Sequence, residues 1–285
     1  MNRKKETLIG YTFVAPALIV FLVLIVFPLL FSILLSFTEW NFLSGWSGMK
    51  WAGLENFISM FTADKRFLWG VRNTFIYAIA TVPTSIFIAL ILAYLLNGNI
   101  LAKKTLRLAF FIPYISSAVA LAAVFKALFR EDGMINNILI HLFGFQAPLQ
   151  WFADFNINKI PIILFVIWVQ IGFELIIYMA ALQNVPKSLY EAAELDGANG
   201  IQKFIHVTFP TISPSTFYLV IVQFITCFKI FTAIDIMNFG DTAYSNTSIV
   251  VEIYQNAFNS YKFGYASAEA MILLIIIILV TAINF

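Results

Sequence analysis

Apolar positions along this chain do not alternate with polar ones; they gather into long runs separated by short polar stretches. Crossing about 30 Å of hydrocarbon takes about 20 mostly apolar residues in a helix. Six runs meet that requirement, roughly 9–37, 73–96, 107–129, 160–182, 213–235 and 264–285. The first follows Arg3-Lys4-Lys5, as a secretory signal would. Its apolar stretch is about twice the length of a signal's apolar region and no small-residue cleavage site follows, so a retained helix is expected. The pattern predicts an all-α, polytopic membrane protein whose single domain occupies residues 1–285.

Composition agrees with the pattern. Of 285 residues, 61% are hydrophobic and 11% charged, against about 45–50% and about 25% in soluble domains. A chain with 31 Phe is not a solvated disordered one. The net charge of +2 supplies no broad basic face for nucleic acid. The lone Cys227 forms no intrachain disulfide and no cysteine metal cluster. His141 and His206 fall in segments expected on opposite sides, so no metal site is expected.

Six spans place both termini on one side, and basic residues select which. With the N-terminus inside, the inner segments carry Arg3, Lys4, Lys5, Lys103, Lys104, Arg107, Lys187 and Lys203 in about 49 residues. The outer loops carry Lys50, Lys65, Arg66, Arg72, Arg130, Lys159 and Lys262 in about 94. Density is about twofold higher inside, which predicts a cytoplasmic N-terminus. Trp40, Trp46, Trp51, Trp69 and Trp151 lie in the outer loops. They read as headgroup-level anchors or as a rim on which an external partner docks.

The longest inner loop, 183–212, carries its own signals. Pro186 ends the fourth span. Ser188 with Glu191 has the spacing of a capping box, and Gly197 suits a left-handed helix stop. Asn199 with Gln202 marks a second start, running to about Val207, after which Pro210 and Pro214 are expected to restart the chain into the membrane. Two short helices with a bend at Gly197 result. Ala192-Ala193 allow close approach of a partner, and an anionic lipid surface would repel Glu191, Glu194 and Asp196. Docking on a protein with a basic lip is therefore preferred over lying on headgroups.

Polar residues within the spans form two further candidates. Gln170, Glu174 and Tyr178 recur at i, i+4, i+8 on one helical face, and Thr216, Gln223 and Thr226 form a comparable stripe beside Lys229. Such stripes line a solute path or bond neighbouring helices. Lys126, Lys229, Asp235 and Glu269 lie nearer span ends, where snorkelling or an ion pair accounts for them. Asn73, Tyr77, Thr81, Thr84 and Ser85 read as a packing seam. No catalytic nucleophile–base pair stands out, so an intramembrane enzyme lacks its chemistry. An ion-gradient-driven secondary transporter with Glu174 as relay carboxyl is the rival reading.

The loop resembles the signature of inner-membrane permeases of binding-protein-dependent ABC importers. Glu191-Ala192-Ala193, Gly197, Val207 and Phe209-Pro210 keep its spacing, with Val and Phe where that signature has Ile and Leu. Leu182-Gln183-Asn184-Val185-Pro186, Leu195-Asp196-Gly197-Ala198, Phe228-Lys229-Ile230-Phe231 and Gly264-Tyr265-Ala266-Ser267-Ala268 resemble its carbohydrate branch, close to maltose-type F and glycerol-phosphate-type A subunits. Asn238-Phe239-Gly240-Asp241 departs from the glycine-rich turn of that branch.

The resemblance implies a type I importer permease for a sugar or oligosaccharide, forming half of a pore with a second permease. It implies two copies of a cytoplasmic ATPase that hold ATP-Mg, and an extracellular or periplasmic sugar-binding protein. Glu191, Ala192, Ala193, Asp196, Gly197 and Pro210 would couple to the ATPase. Gln170, Glu174, Tyr178, Gln223 and Thr226 would be candidates for the substrate path. The chain itself has no Gly-rich phosphate loop and binds no cofactor on this reading. A bacterial or archaeal plasma membrane is the implied location.

Overall fold

A computed structural model describes residues 3–98, 102–237 and 244–283, with side chains from Tyr11 onward. The stretch Asn238–Asp241 lies outside the described residues. In chain order the helices are α1 (Arg3–Phe21), α2 (Phe27–Ser36), α3 (Glu55–Thr62), α4 (Lys65–Asn97), α5 (Lys103–Ile115), α6 (Ala118–Leu128) and α7 (Met134–Phe143). There follow α8 (Ile160–Gln183), α9 (Lys187–Leu195), α10 (Gly200–Lys203), α11 (Phe209–Phe228), α12 (Thr232–Met237), α13 (Ile249–Tyr254) and α14 (Phe263–Ile283). Strands β1 (Thr38–Glu39) and β2 (Lys50–Trp51) form an antiparallel pair.

Among the described residues five helical runs are long and apolar enough to cross a membrane: Tyr11–Ser36, Lys65–Asn97, Ile160–Gln183, Gly200–Phe228 and Phe263–Ile283. The sixth expected span, 107–129, is not a straight rod. Helices α5 and α6 meet at a 99° bend and make a sixth crossing only when counted together. Ser116 is extended there, and its Oγ donates to Ile112 O at 2.7 Å. Ser117 caps α6 by accepting from Ala120 N. Two adjacent serines thus offer the backbone alternatives to a continuous ladder.

The fifth span also differs from expectation. It begins at Gly200, and neither Pro210 nor Pro214 restarts it. A π turn at Phe204–Thr208 precedes Pro210 and closes with Phe209 N donating to Phe204 O. The wider turn changes which carbonyl the proline leaves unpaired. Pro214 cannot donate to Pro210 O; Ser213 Oγ does so instead at 2.8 Å. The same device precedes Pro28, where Leu22–Val26 is a π turn and Phe27 N donates to Leu22 O. Helix α11 stops at Phe228, so Lys229 and Asp235 lie beyond the span rather than near its end inside it.

The chain divides into two compact units. The first comprises residues 1–68 and 252–276. Trp40 is its core and not a headgroup anchor: it is buried, stacks on Trp46 at 5.1 Å and donates Nε1–H to Gly45 O at 2.9 Å. Trp46 and Trp51 remain exposed. Gly264 lies against the Thr38 carbonyl, with its Cβ position 3.0 Å from Trp40 N. Asn56 Nδ2 donates to both Ser36 O and Thr38 O at 2.9 Å, holding the turn after α2. Glu269 is fully buried and neither snorkels nor pairs with a cation there. Both its oxygens lie 3.0 Å from the donating Asn256 Nδ2. Tyr265 OH donates to Asp64, and Arg66 pairs with Glu252 at 3.4 Å. Along α1 and α2 the side chains from Tyr11 to Leu34 are almost all exposed within this chain.

The second unit comprises residues 69–251 and 277–285. Asn73, Tyr77, Thr81 and Ser85 form the expected buried seam, while Thr84 turns outward. Asn73 Nδ2 donates to the carbonyls of Tyr244, Ser245 and Thr247 at 3.0–3.2 Å, and Tyr77 OH to Asn246 O at 3.1 Å. Cys227 is buried with Sγ 3.0 Å from Thr81 Oγ1. Gly172 permits α5 to touch α8: a Cβ there would collide with Phe110 O and lie 3.1 Å from Phe111 Cα. Lys126 Nζ donates to Ile236 O at 2.6 Å.

Candidate functional site

The elbow between α8 and α11 lies wholly in the second unit. Pro186, extended at ψ 130°, precedes α9, and Leu189 N donates to Pro186 O at 3.2 Å. The expected Ser188–Glu191 capping box does not form. The helix already starts at Lys187, so Ser188 sits inside the first turn and no side chain caps it. The other end meets expectation. Gly197 is left-handed at φ +76°, Gly197 N donates to Glu194 O at 3.0 Å and Ala198 N to Ala193 O at 2.9 Å. This is a Schellman closure, which only glycine enters without strain. Asn199 and Gln202 then cap α10 reciprocally at 2.8 and 2.9 Å.

Two side-chain links set the elbow's angle. Lys203 Nζ reaches back to Glu194 Oε1 at 2.7 Å. Tyr190 OH lies 2.9 Å from Oγ1 of fully buried Thr208, joining α9 to the π turn at the root of α11. A concavity of about 460 Å³ opens between the two arms, lined by Leu189, Ala192, Ala193, Asp196, Gln202 and His206. No residue of α9 is buried, and Leu195 at its tip is 91% exposed. Glu191 and Asp196 are exposed. Pro210 sits in the first turn of α11, directly beyond the Tyr190–Thr208 link. The elbow is thus braced by side chains, mixed in its hollow with Ala192 and Ala193 beside Asp196, Gln202 and His206, and uncovered by its own chain.

The intramembrane polar residues separate into groups. Glu174 on α8 and Gln223 on α11 are 0% and 3% exposed, and Tyr178 is 0% exposed. Ser85 Oγ on α4 donates to Glu174 Oε1 at 2.8 Å, and Tyr178 OH donates to Thr216 Oγ1 at 3.1 Å. Glu174 Oε2 and Gln223 Nε2 are both buried, and the Gln223 amide interacts with the Glu174 carboxylate. These residues tie α4, α8 and α11 together. Glu174, Tyr178 and Gln223 are all buried within the isolated chain. Gln170 is half-buried and stands apart from the cluster. Thr226, also half-buried, donates back to Val222 O at 2.8 Å.

Sequence reasoning passed over Tyr114. It lies just before the α5–α6 bend, 40% exposed, with its ring stacked on Phe173 at 5.3 Å. Pro113 followed by the Ser116-Ser117 pair was the available signal of a break.

The fold is that of a multi-pass helical membrane protein with an uncovered hollow between two of its spans. Residues 55–285 match the family described as the binding-protein-dependent transport system inner membrane component, and the chain belongs to that family. It is 35% identical to the probable ABC transporter permease protein YesP of Bacillus subtilis (strain 168), over 99% of this chain and 91% of that one. It is 31% identical to the lactose transport system permease protein LacF of Rhizobium radiobacter, over 97% of this chain and 92% of that one. The fold is also that of a solved bacterial ABC transporter involved in the import of the acidic polysaccharide alginate. The TM-score is 0.83 at 20% identity, covering 98% of this chain and 94% of the other.

Proposed function

We propose that this permease is one half of the pore of an ATP-driven importer for a sugar or oligosaccharide. It pairs with a second permease, docks on two copies of a separate cytoplasmic ATPase that hold ATP-Mg, and receives sugar from an extracellular or periplasmic binding protein. Its N-terminus and the elbow face the cytoplasm, where the basic segments are denser. The exposed length of Tyr11–Ser36 supports a neighbour other than this chain's own core. Relatives named for lactose, for arabinooligosaccharides and for sn-glycerol-3-phosphate support a polyhydroxylated solute.

The observation that carries the reading is the elbow. Ala192, Ala193, Asp196 and Gly197 line an uncovered hollow, with exposed Glu191 on the same helix, whose arms are braced by Tyr190–Thr208 and continue through Pro210 into a span. An ATPase cleft that grips α9 would therefore move α11, and rocking of the two permeases would alternate access to the pore. Along the pore, exposed Tyr114 on Phe173, with half-buried Gln170 and Thr226, suits sugar rings and hydroxyls better than buried Glu174, Tyr178 and Gln223. The chain contributes no catalytic residue.

Uptake by the reconstituted complex tests the proposal. Ala193→Arg and Gly197→Pro are expected to abolish uptake while the chain still inserts and assembles with its sister permease. Normal uptake by both variants would refute the coupling role. A secondary transporter would instead accumulate sugar on an ion gradient with the ATPase removed, and replacement of Glu174 would then abolish transport.

A further inference from the structure

A second concavity, of about 460 Å³, lies in the second unit between the end of α6 and the segment before α8. Phe129, Trp151 and Phe152 supply aromatic walls; Arg130, Asp132 and Gln150 are exposed along its rim. Small-molecule sites run from about 300 to 1,000 Å³, so the hollow has the right size for one or two sugar rings.

One buried residue builds it. Asn136, 1% exposed, donates Nδ2 to Arg130 O and Glu131 O at 3.2 Å and to Leu149 O at 2.9 Å. Its Oδ1 accepts from Leu149 N and from Trp151 Nε1, both at 3.0 Å. Both walls are therefore bound to a single carboxamide. Trp151 is fixed edge-to-face on Phe129 at 5.2 Å. Gly133 seals the near wall: a Cβ there would lie 2.7 Å from Ala127 O and 2.9 Å from Arg130 O. A pocket assembled in advance loses little freedom when it fills.

We infer that this pocket is a binding site for a neutral saccharide on the outer side of the permease. The inference rests on the sugar-importer reading above, which also places this segment outside. Aromatic walls suit the CH faces of a pyranose. The rim offers donors from Arg130, acceptors from Glu131 and Asp132, and both from Gln150, which is what vicinal hydroxyls require. Charge selects against anions. Arg130 Nε already pairs with Asp132 Oδ1 at 3.1 Å, and Glu131 adds a second carboxylate. The rim repels an anion and has no surplus for a cation beyond one charge. A protein partner would call for a wide, shallow surface, whereas this is a walled hollow.

The test uses the whole transporter in lipid nanodiscs. Uptake of lactose, arabinotriose and maltotriose with the binding protein present first identifies the carried sugar; failure of all three overturns the sugar reading and this inference with it. Calorimetric titration of the carried sugar into the complex without binding protein is expected to show saturable binding. Gln150→Ala should weaken it about tenfold, the loss of roughly one hydrogen bond. The pocket-filling Ala153→Trp should remove it, with the melting temperature of both variants unchanged. Uptake without any such binding, or binding indifferent to both variants, overturns the pocket while leaving the importer reading intact. So does an Ala153→Trp complex that keeps sugar affinity but no longer captures the sugar-loaded binding protein.

Discussion

The hydroxyl of Tyr190 lies 2.9 Å from Oγ1 of Thr208, the one side-chain link between the tip-bearing α9 and the buried root of α11 among the described residues. A force applied to α9 reaches the span through this bond, through the Glu194–Lys203 ion pair and through the covalent path around Gly197. Tyr190→Phe and Thr208→Val each remove the same hydrogen bond, worth about 1 kcal/mol. Each is expected to lower sugar imported per ATP hydrolysed severalfold, and the double variant should be no worse than either single one. Parallel uptake and phosphate-release assays check this.

Two glycines bring their helices into backbone contact with a neighbour, α8 against α5 at Gly172 and α14 against β1 at Gly264. A methyl at Gly172 would meet Phe110 O, and one at Gly264 would meet Thr38 O. Neither neighbour is a side chain able to swing aside. Overpacking of this kind costs typically about 1–3 kcal/mol, so Gly172→Ala and Gly264→Ala should each lower the thermal midpoint of the purified complex. Gly197→Ala has open space around the new methyl and only the left-handed backbone to resist it, a penalty of about 1–2 kcal/mol. It should be far milder than Gly197→Pro in uptake.

Glu174→Ala removes the nearer acceptor of the buried Ser85 hydroxyl, which keeps only Val82 O at 3.2 Å. The expected loss is about 1–3 kcal/mol, seen as a lower melting temperature. Glu174→Gln retains an acceptor oxygen and should restore most of it. Uptake by Glu174→Gln should survive collapse of the proton gradient, as an ATP-driven pore requires and a proton relay does not.

Lys159, at the N-terminal entry to α8, is held below the ordinary lysine range by burial and secondarily by the Arg72 guanidinium. The unfolded chain therefore binds more protons than the folded one between the lowered value and the ordinary one. Stability should rise with pH through that window. Lys159→Met should flatten the alkaline rise in melting temperature, and its midpoint at neutral pH should not fall.

The elbow was legible because its signals are local: Gly197, Asn199 and Gln202 act within one turn of where they stand. The crossings were legible for the same reason, since apolar run length is read directly. What escaped depends on partners far along the chain or on subtle competition within it. Trp40 reads as an anchor until Phe263, more than two hundred residues on, closes over it at 5.8 Å. The Ser116-Ser117 break is hidden in an apolar stretch that hydropathy carries straight through. The π turns before Phe27-Pro28 and Phe209-Pro210 let a helix continue where proline alone suggests a stop. The burial of Glu174 and Gln223 needed α4 to pack against both α8 and α11, a relationship no single-helix periodicity reveals.

Site-specific cross-linking from the elbow's tip addresses the central claim. Native Cys227 is buried, so Leu195→Cys provides a single exposed thiol. In inverted vesicles carrying the assembled transporter it is expected to react with an impermeant maleimide and to cross-link to the ATPase subunit, in a yield that changes when ATP binds. Labelling only from the outer face of intact cells, or cross-links to no nucleotide-hydrolysing subunit, would contradict the account.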